Sequence, residues 1–279
     1  MKLLQRLAIG YIRTKFKLLA LVSKEKVAKE AFRLFCTPQI RSVNKVPLQN
    51  AEPVSFMLED TCIRGYRWNH PQQKKALILH GFNSAAHKFA DYALALSAKG
   101  YEVLAFDAPA HGRSGGTMTN GVEYSRMIKQ VYEDFGPIDS FIAHSFGGIG
   151  LGLALEEIEH DKATRVVFIA PATETTSAVN SAFALLKLND QKVQEEFHRL
   201  IYNISGKETG WFSIRRAMRR INASVLWVHD EEDDITPWAD AEKVKEDNHP
   251  HVRFVITKGL GHQRIYRDDA IKKEVTGFL

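Results

Sequence analysis

Hydrophobic residues recur every three to four positions near the start of the chain, and this period predicts two helices. In the first, within residues 2–22, one face carries Leu4, Leu7, Ala8, Tyr11 and Ile12. The remaining faces carry polar and basic residues, namely Lys2, Gln5, Arg6, Arg13 and Lys17. A second, shorter helix follows the N-cap candidate Ser23, with inward positions at Val27, Ala31, Leu34 and Phe35.

Polar residues and prolines dominate from Thr37 to Pro53, which is typical of a linker. After Pro53 the pattern changes to short β-rich runs that alternate with helical stretches. The strand candidates are Val54–Leu58, Cys62–Trp68, Ala76–Leu79, Glu102–Phe106, Ser140–Ala143, Arg165–Ala170, Ser224–Val228 and Arg253–Ile256. The helix candidates are Ala85–Lys99, Val122–Phe135, Phe146–Glu159, Trp238–Asp247 and a last helix that closes the chain.

This alternation predicts an α/β fold with a mostly parallel central sheet and helices on both faces. The first two strands, joined by a turn at Glu59-Asp60, would add an antiparallel edge. We therefore expect a helical arm and linker over residues 1–50 and one α/β domain over residues 51–279. With 279 residues, 44% of them hydrophobic, the chain can bury a substantial core, which excludes intrinsic disorder.

Charge is distributed unevenly along the chain. The formal net charge is +5, but residues 1–33 alone carry +7, so the remaining residues carry −2. A nucleic-acid partner is not expected, because only the arm is basic. The arm either packs on the domain or lies as a basic amphipathic helix on anionic lipid, through residues 2–22.

Location can also be predicted. No apolar run approaches the ~20 residues that span a bilayer, and the two cysteines show no metal-binding spacing. We expect reduced thiols and a cytoplasmic protein, with peripheral contact at the inner face of the membrane as the alternative for the arm.

A serine stands at the junction between a predicted strand and a predicted helix. The strand Ser140–Ala143 is followed by His144-Ser145-Phe146-Gly147-Gly148. A serine held in a sharp strand-to-helix turn needs small residues two before and two after it, and Ala143 and Gly147 meet that need. The helix N-terminus also places N–H groups and partial positive charge beside the hydroxyl.

Several other strand ends carry polar motifs, and together with Ser145 they resemble the α/β-hydrolase family. The motifs are His80-Gly81-Phe82, the Asp107-to-Gly115 turn, the acidic segment from His229 to Pro237, and Gly261-His262. They occur in the family order of serine, acid and histidine. The resemblance covers roughly residues 54–279. It is closest to the serine esterase, lipase and lysophospholipase-like members with a short helical cap.

The resemblance implies a role for each site residue. Ser145 would be the nucleophile and His262 the general base and acid. The family places a proline four residues after the acid, which favours Asp233 because Pro237 is present. Asp234 and Asp230 remain as alternatives. The backbone N–H groups of Phe82 and Phe146 would form the oxyanion hole.

About fifty residues separate two of the predicted strands, which indicates a small helical cap at about residues 172–220. We therefore expect an α/β-hydrolase fold and a serine hydrolase of carboxylic esters with small to medium or lipid-derived acyl groups. The alternatives are a thioesterase or acyltransferase with the same triad, and a non-catalytic binding protein of this fold. Neither a cofactor nor a metal ion is expected, and no substrate-binding side chain can be assigned.

Overall fold

The computed structural model describes the backbone of residues 3–279 and the side chains of residues 6–279. The side chains of the predicted positions Lys2, Leu4 and Gln5 therefore lie outside the part of the chain that is described.

The strands are β1 (Ala51–Leu58), β2 (Thr61–Trp68), β3 (Lys75–Leu79), β4 (Glu102–Phe106), β5 (Ser140–His144), β6 (Arg165–Ile169), β7 (Ser224–Asp230) and β8 (Val252–Thr257). The helices are α1 (Leu3–Val22), α2 (Lys24–Cys36), α3 (Ala90–Ser97), α4 (Gly121–Phe135), α5 (Phe146–Ala154), α6 (Thr175–Leu186), α7 (Gln191–Ser205), α8 (Ile214–Ala217), α9 (Trp238–Glu246), α10 (Gly261–Arg264) and α11 (Asp269–Phe278).

The described strands form one eight-stranded sheet in the order β1-β2-β4-β3-β5-β6-β7-β8. All pairs from β4 to β8 are parallel, whereas β1–β2 and β2–β4 are antiparallel. The predicted α/β class, the mostly parallel sheet and its antiparallel edge are confirmed. Parallel pairing brings the carboxyl ends of β3, β5, β6, β7 and β8 to one edge of the sheet, where polar motifs follow several of them.

Some element boundaries differ from the sequence-based prediction. β1 begins at Ala51, which pairs with Trp68, so the predicted linker ends before Pro53 rather than at it. Pro53 is tolerated because β1 is an edge strand, and a proline there need not remove a backbone hydrogen bond between strands. α5 ends at Ala154 instead of Glu159. The Ala85–Lys99 stretch divides into a 3₁₀ turn at Ala86–Phe89 and α3.

By the density of contacts the chain divides into two compact units. The sheet unit comprises residues 38–174 and 213–279, and the helical unit comprises residues 1–37 and 175–212. In the sheet unit, β3, β4 and β5 are fully buried from their second residue onward, which explains their continuous runs of apolar residues. One large core cluster on this sheet includes Ile78, Val103, Ile142, Val167, Leu226, Phe89, Tyr92 and Leu96.

The helical unit is built around an aromatic cluster. Phe197 of α7 is 1% exposed, and its ring lies 5.6 Å from Phe32 and 5.9 Å from Phe35, both on α2. Phe183 of α6 lies 5.1 Å from Phe197 on another side. Lys24 forms an ion pair with Asp190, the N-cap of α7. The first two helices of the chain therefore pack against α6 and α7.

The predicted apolar face of α1 is divided between two environments. Phe16 is buried, and Ile12 is partly buried beside it. Leu7 and Tyr11, predicted on the same face as Ile12, are 62% and 71% exposed. Among residues 3–279, no helix combines the length and apolarity that crossing a membrane requires.

Candidate active site

Ser145 lies between the end of β5 and the start of α5, with φ 54° and ψ −117°. This backbone conformation costs a non-glycine residue about 1–3 kcal/mol. The start of α5 lies very close to the end of β3. A Cβ on Gly147 would lie 2.7 Å from the carbonyl oxygen of Leu79 and 2.9 Å from that of His80. The requirement for a small residue two positions after the serine thus has a direct steric cause.

His262 belongs to the short helix α10, which follows β8. Its Nε2 lies 2.9 Å from Oγ of Ser145, and both side chains are buried. The left-handed backbone of Gly259 and Gly261 (φ 86° and 59°) lets the chain turn sharply before the histidine. The structure therefore brings together two residues that are 117 positions apart.

Asp233 lies on the other side of His262. Its Oδ2 accepts a hydrogen bond from Nδ1 of His262 at 2.8 Å, and Oδ1 accepts from the backbone N–H groups of Ile235 and Thr236. Burial alone would raise the pKa of Asp233, but the hydrogen bonds from His262 and these backbone groups hold it below its usual value. The carboxylate is therefore ionised at neutral pH and fixes the proton of His262 on Nδ1.

The two alternative acids lie elsewhere. Oδ2 of Asp230 accepts from the Thr257 hydroxyl at 2.7 Å and from the N–H of Leu260 at 2.9 Å, so this carboxylate ties the end of β7 to the loop after β8. Asp234 is exposed. Of the three carboxylates considered, Asp233 is the one that contacts His262.

The loop containing Phe82 approaches Ser145 closely. A Cβ on Gly81 would lie 2.9 Å from Cβ of Ser145, so only glycine permits this approach. The rings of Phe82 and Phe146 are 5.3 Å apart, edge to face. Phe146 is the first residue of α5, so its N–H has no acceptor within the helix. Within residues 3–279 the N–H of Phe82 donates to no backbone oxygen.

Three buried histidines shape the loops around this centre. His80 accepts the N–H of Ala108 on Nε2, and His111 accepts the N–H of Asn83 on its own Nε2. Burial lowers the pKa of His80 to about 4 and that of His111 to about 3. His144, with a pKa lowered by burial to about 3, lies ring to ring with His262 at 4.9 Å. All three are neutral at physiological pH.

Thr236 is a residue that the sequence-based prediction missed. Its hydroxyl lies 2.9 Å from Oδ2 of Asp233, 3.1 Å from Nδ1 of His262 and 3.1 Å from the carbonyl oxygen of Ala170. The available signal was the Asp-x-x-Thr spacing, in which an aspartate accepts backbone N–H groups two and three residues later. Within residues 3–279, no group of His, Cys, Asp and Glu side chains has the arrangement of a metal site.

With this geometry in view, the chain can be compared with known proteins. A family model described as serine aminopeptidase, S33, matches residues 70–208. An esterase from Pyrococcus furiosus, Pf2001, superposes with a TM-score of 0.63 at 22% identity, over 88% of this chain and 97% of that one.

Two further structures show the same fold. A predicted CIB-like hydrolase from Thermoplasma acidophilum has a TM-score of 0.60 at 14% identity, covering 82% of this chain and 97% of its own. Alpha/beta hydrolase domain-containing protein 10 from mouse has a TM-score of 0.60 at 17% identity, covering 81% and 96%. No curated protein matches this chain by sequence.

Proposed function

Because the chain belongs to the α/β-hydrolase family, we propose that it is a serine hydrolase that cleaves carboxylic esters through an acyl-enzyme on Ser145. The observation that carries the proposal is the continuous contact from Asp233 through His262 to Ser145, at 2.8 and 2.9 Å. Such an arrangement activates a hydroxyl that is otherwise a weak nucleophile at neutral pH.

In the first step, Oγ of Ser145 attacks the acyl carbonyl while its proton passes to Nε2 of His262. Asp233 stabilises the imidazolium that forms. The developing oxyanion accepts hydrogen bonds from the N–H groups of Phe82 and Phe146. His262 then returns the proton to the leaving alcohol as the tetrahedral intermediate collapses to the acyl-enzyme.

In the second step, water attacks the acyl-enzyme while Nε2 of His262 accepts a proton from it. The carboxylic acid leaves, and the proton returns to Oγ of Ser145. The same three side chains serve both half-reactions, and neither half requires a metal ion or an organic cofactor.

Labelling with a fluorophosphonate tests the nucleophile. We expect the probe to modify Ser145 in the folded chain, and Ser145→Ala to lose both labelling and ester hydrolysis, the latter by about a thousandfold or more. Ser55→Ala, at an exposed serine on β1, is the matched control and should label like the parent chain. Labelling that persists in Ser145→Ala would place the reactive nucleophile elsewhere and show the proposal to be wrong, and no labelling of the parent chain would favour a binding protein.

The acyl and leaving groups can be assigned with a substrate panel. We expect nitrophenyl esters of small to medium acyl chains to be hydrolysed faster than the matching thioesters. A preference for thioesters would identify a thioesterase, and transfer of the acyl group to an added alcohol in preference to water would identify an acyltransferase.

Peptide-bond hydrolysis is the second candidate, because the family model that matches residues 70–208 is described as a serine aminopeptidase. Amino-acid nitroanilides belong in the same panel. Cleavage of these amides at a kcat/KM above that of the best ester would favour the aminopeptidase.

A further inference from the structure

Five large apolar side chains of α1 are exposed on one side of the helix. At about 100° per residue they all lie on the side opposite the buried Phe16, and we call them the outward stripe: Leu7, Tyr11, Leu18, Leu21 and Val22. Their exposed fractions run from 61% to 81%. Single exposed apolar residues are ordinary, whereas a stripe along a 20-residue helix indicates a partner.

The opposite side of α1 is already occupied within the helical unit. Phe16 is 3% exposed, and the Arg13 guanidinium donates to the carbonyl oxygen of Leu185 on α6. Between Phe16 and the outward stripe, Lys15 forms an ion pair with Glu30 on α2, at 3.0 Å. These contacts fix the rotation of α1 about its axis, so the stripe cannot turn inward without exposing Phe16.

Positive charge borders the outward stripe. At about 100° per residue, Arg6 and Lys17 flank it on one side, and Lys15, which is paired with Glu30, lies on the other. Residues 1–37 carry a net charge of +7 and residues 175–212 carry none, so the helical unit as a whole is strongly basic. The sheet unit has a net charge of −2, and the whole basic excess of the chain therefore lies in the unit that carries the stripe.

We propose that the outward stripe of α1 binds the surface of a membrane containing anionic lipids, with the helix lying in the plane of the interface. Apolar side chains between flanking cations match the two layers they would meet, the acyl chains and the negatively charged headgroups. A second copy of this chain is a poorer occupant, because joining two stripes would bring together two units of net charge +7. Binding of this kind would place the proposed hydrolase at a membrane surface. It does not depend on the reaction that the chain catalyses.

Vesicle co-sedimentation of the full chain tests the proposal. We expect strong binding to vesicles of phosphatidylcholine with phosphatidylglycerol, weak binding to phosphatidylcholine alone, and loss of binding at high salt. Leu7→Ser/Leu18→Ser/Leu21→Ser should weaken the partition coefficient by about tenfold or more. Arg6→Gln/Lys17→Gln should weaken it by about fivefold for each cation removed.

Matched controls separate the stripe from general surface properties. Val46→Ser removes an apolar side chain that is 69% exposed in the sheet unit, and Lys245→Gln/Lys258→Gln removes two exposed cations there. Both should bind vesicles like the parent chain. The thermal midpoint of each variant verifies that it is folded.

Equal binding of the triple-serine variant and the parent chain would overturn the proposal. So would equal binding of the parent chain to neutral and anionic vesicles, or no binding to either. The stripe would instead be assigned to a second copy if the parent chain did not bind vesicles but formed a dimer, and if the triple-serine variant did not form that dimer.

Discussion

At the scale of single residues, the candidate site depends on a hydroxyl beside the Asp233–His262 pair. The Thr236 hydroxyl lies 2.9 Å from the carboxylate oxygen that accepts from His262 and 3.1 Å from the carbonyl oxygen of Ala170, and its single proton can be donated to either acceptor. Its backbone N–H holds the other oxygen of Asp233 at 2.8 Å. In the proposed mechanism Thr236 is therefore a positioning residue, because it contacts Asp233 and His262 and not the substrate.

Thr236→Val removes the hydroxyl but keeps the shape of the side chain. We expect kcat to fall by about tenfold, the value of one lost hydrogen bond to a charged group, with little change in KM. Thr236→Ser should restore most of the rate, since it returns the hydroxyl. The measurement is steady-state hydrolysis of the best ester. If Val and Ser variants were equally slow, the methyl group and not the hydroxyl would be the important feature.

Ser145 could be found from sequence, whereas the contact of Thr236 with His262 could not. The elbow around Ser145 is a local signal: small residues at Ala143 and Gly147, between a strand and a helix. The contact between Thr236 and His262 joins residues 26 positions apart on different loops, and no local pattern specifies it. The choice of Asp233 over Asp230 rested on the family spacing, and their different hydrogen-bond partners are visible only in the folded chain.

At the scale of elements, the buried strands β3, β4 and β5 were predicted to within one residue at each end, because buried parallel strands are rich in consecutive apolar residues. Packing of the arm was one of the two predicted alternatives, but the side of α1 that is buried was not predicted. Its sequence is apolar on two sides, so the period alone could not say which side is buried. Burial of Phe16 decides the question, and Arg13 donates to the carbonyl oxygen of Leu185, a residue 172 positions away in sequence.

Phe197 offers a test of the helical unit. Phe197→Ala removes a ring that is 1% exposed and contacts three phenylalanines. We expect a loss of about 3–5 kcal/mol in the free energy of unfolding of this unit, with faster amide hydrogen exchange in α2 and α7. Tyr202→Ala, at a 49% exposed position of the same helix, is the control and should change little. Equal effects of the two substitutions would contradict this packing.

At the scale of the whole molecule, buried neutral histidines make stability depend on pH. The pKa values of His80, His111 and His144 are lowered by burial to about 4, 3 and 3. Between those values and about 6.5, the usual pKa of an unfolded histidine, the unfolded chain binds more protons than the folded chain. Their contribution to stability is therefore complete above about pH 6.5 and is lost as the pH falls through this range.

We expect the free energy of unfolding to decrease from about pH 7 to about pH 5, by up to about 1.4 kcal/mol per pH unit for each of the three histidines, and the urea midpoint to decrease with it. His111→Gln should make this slope shallower, because it removes one of the titrating groups. Lys245→Gln is the control and should leave the slope unchanged. A midpoint that stays constant over this range would contradict the burial of uncharged imidazoles.

The packing of α2 against α7 also sets an order of events during synthesis. The ribosome completes α2 long before α7, so Val27, Ala28 and Ala31 emerge without the helix that later contributes to their burial. The sheet strands β1 to β6 are all translated in the interval. The nascent chain therefore carries the uncovered apolar faces of α1 and α2 until Ser205 has left the exit tunnel, and chaperones that recognise apolar surface can bind them during that interval.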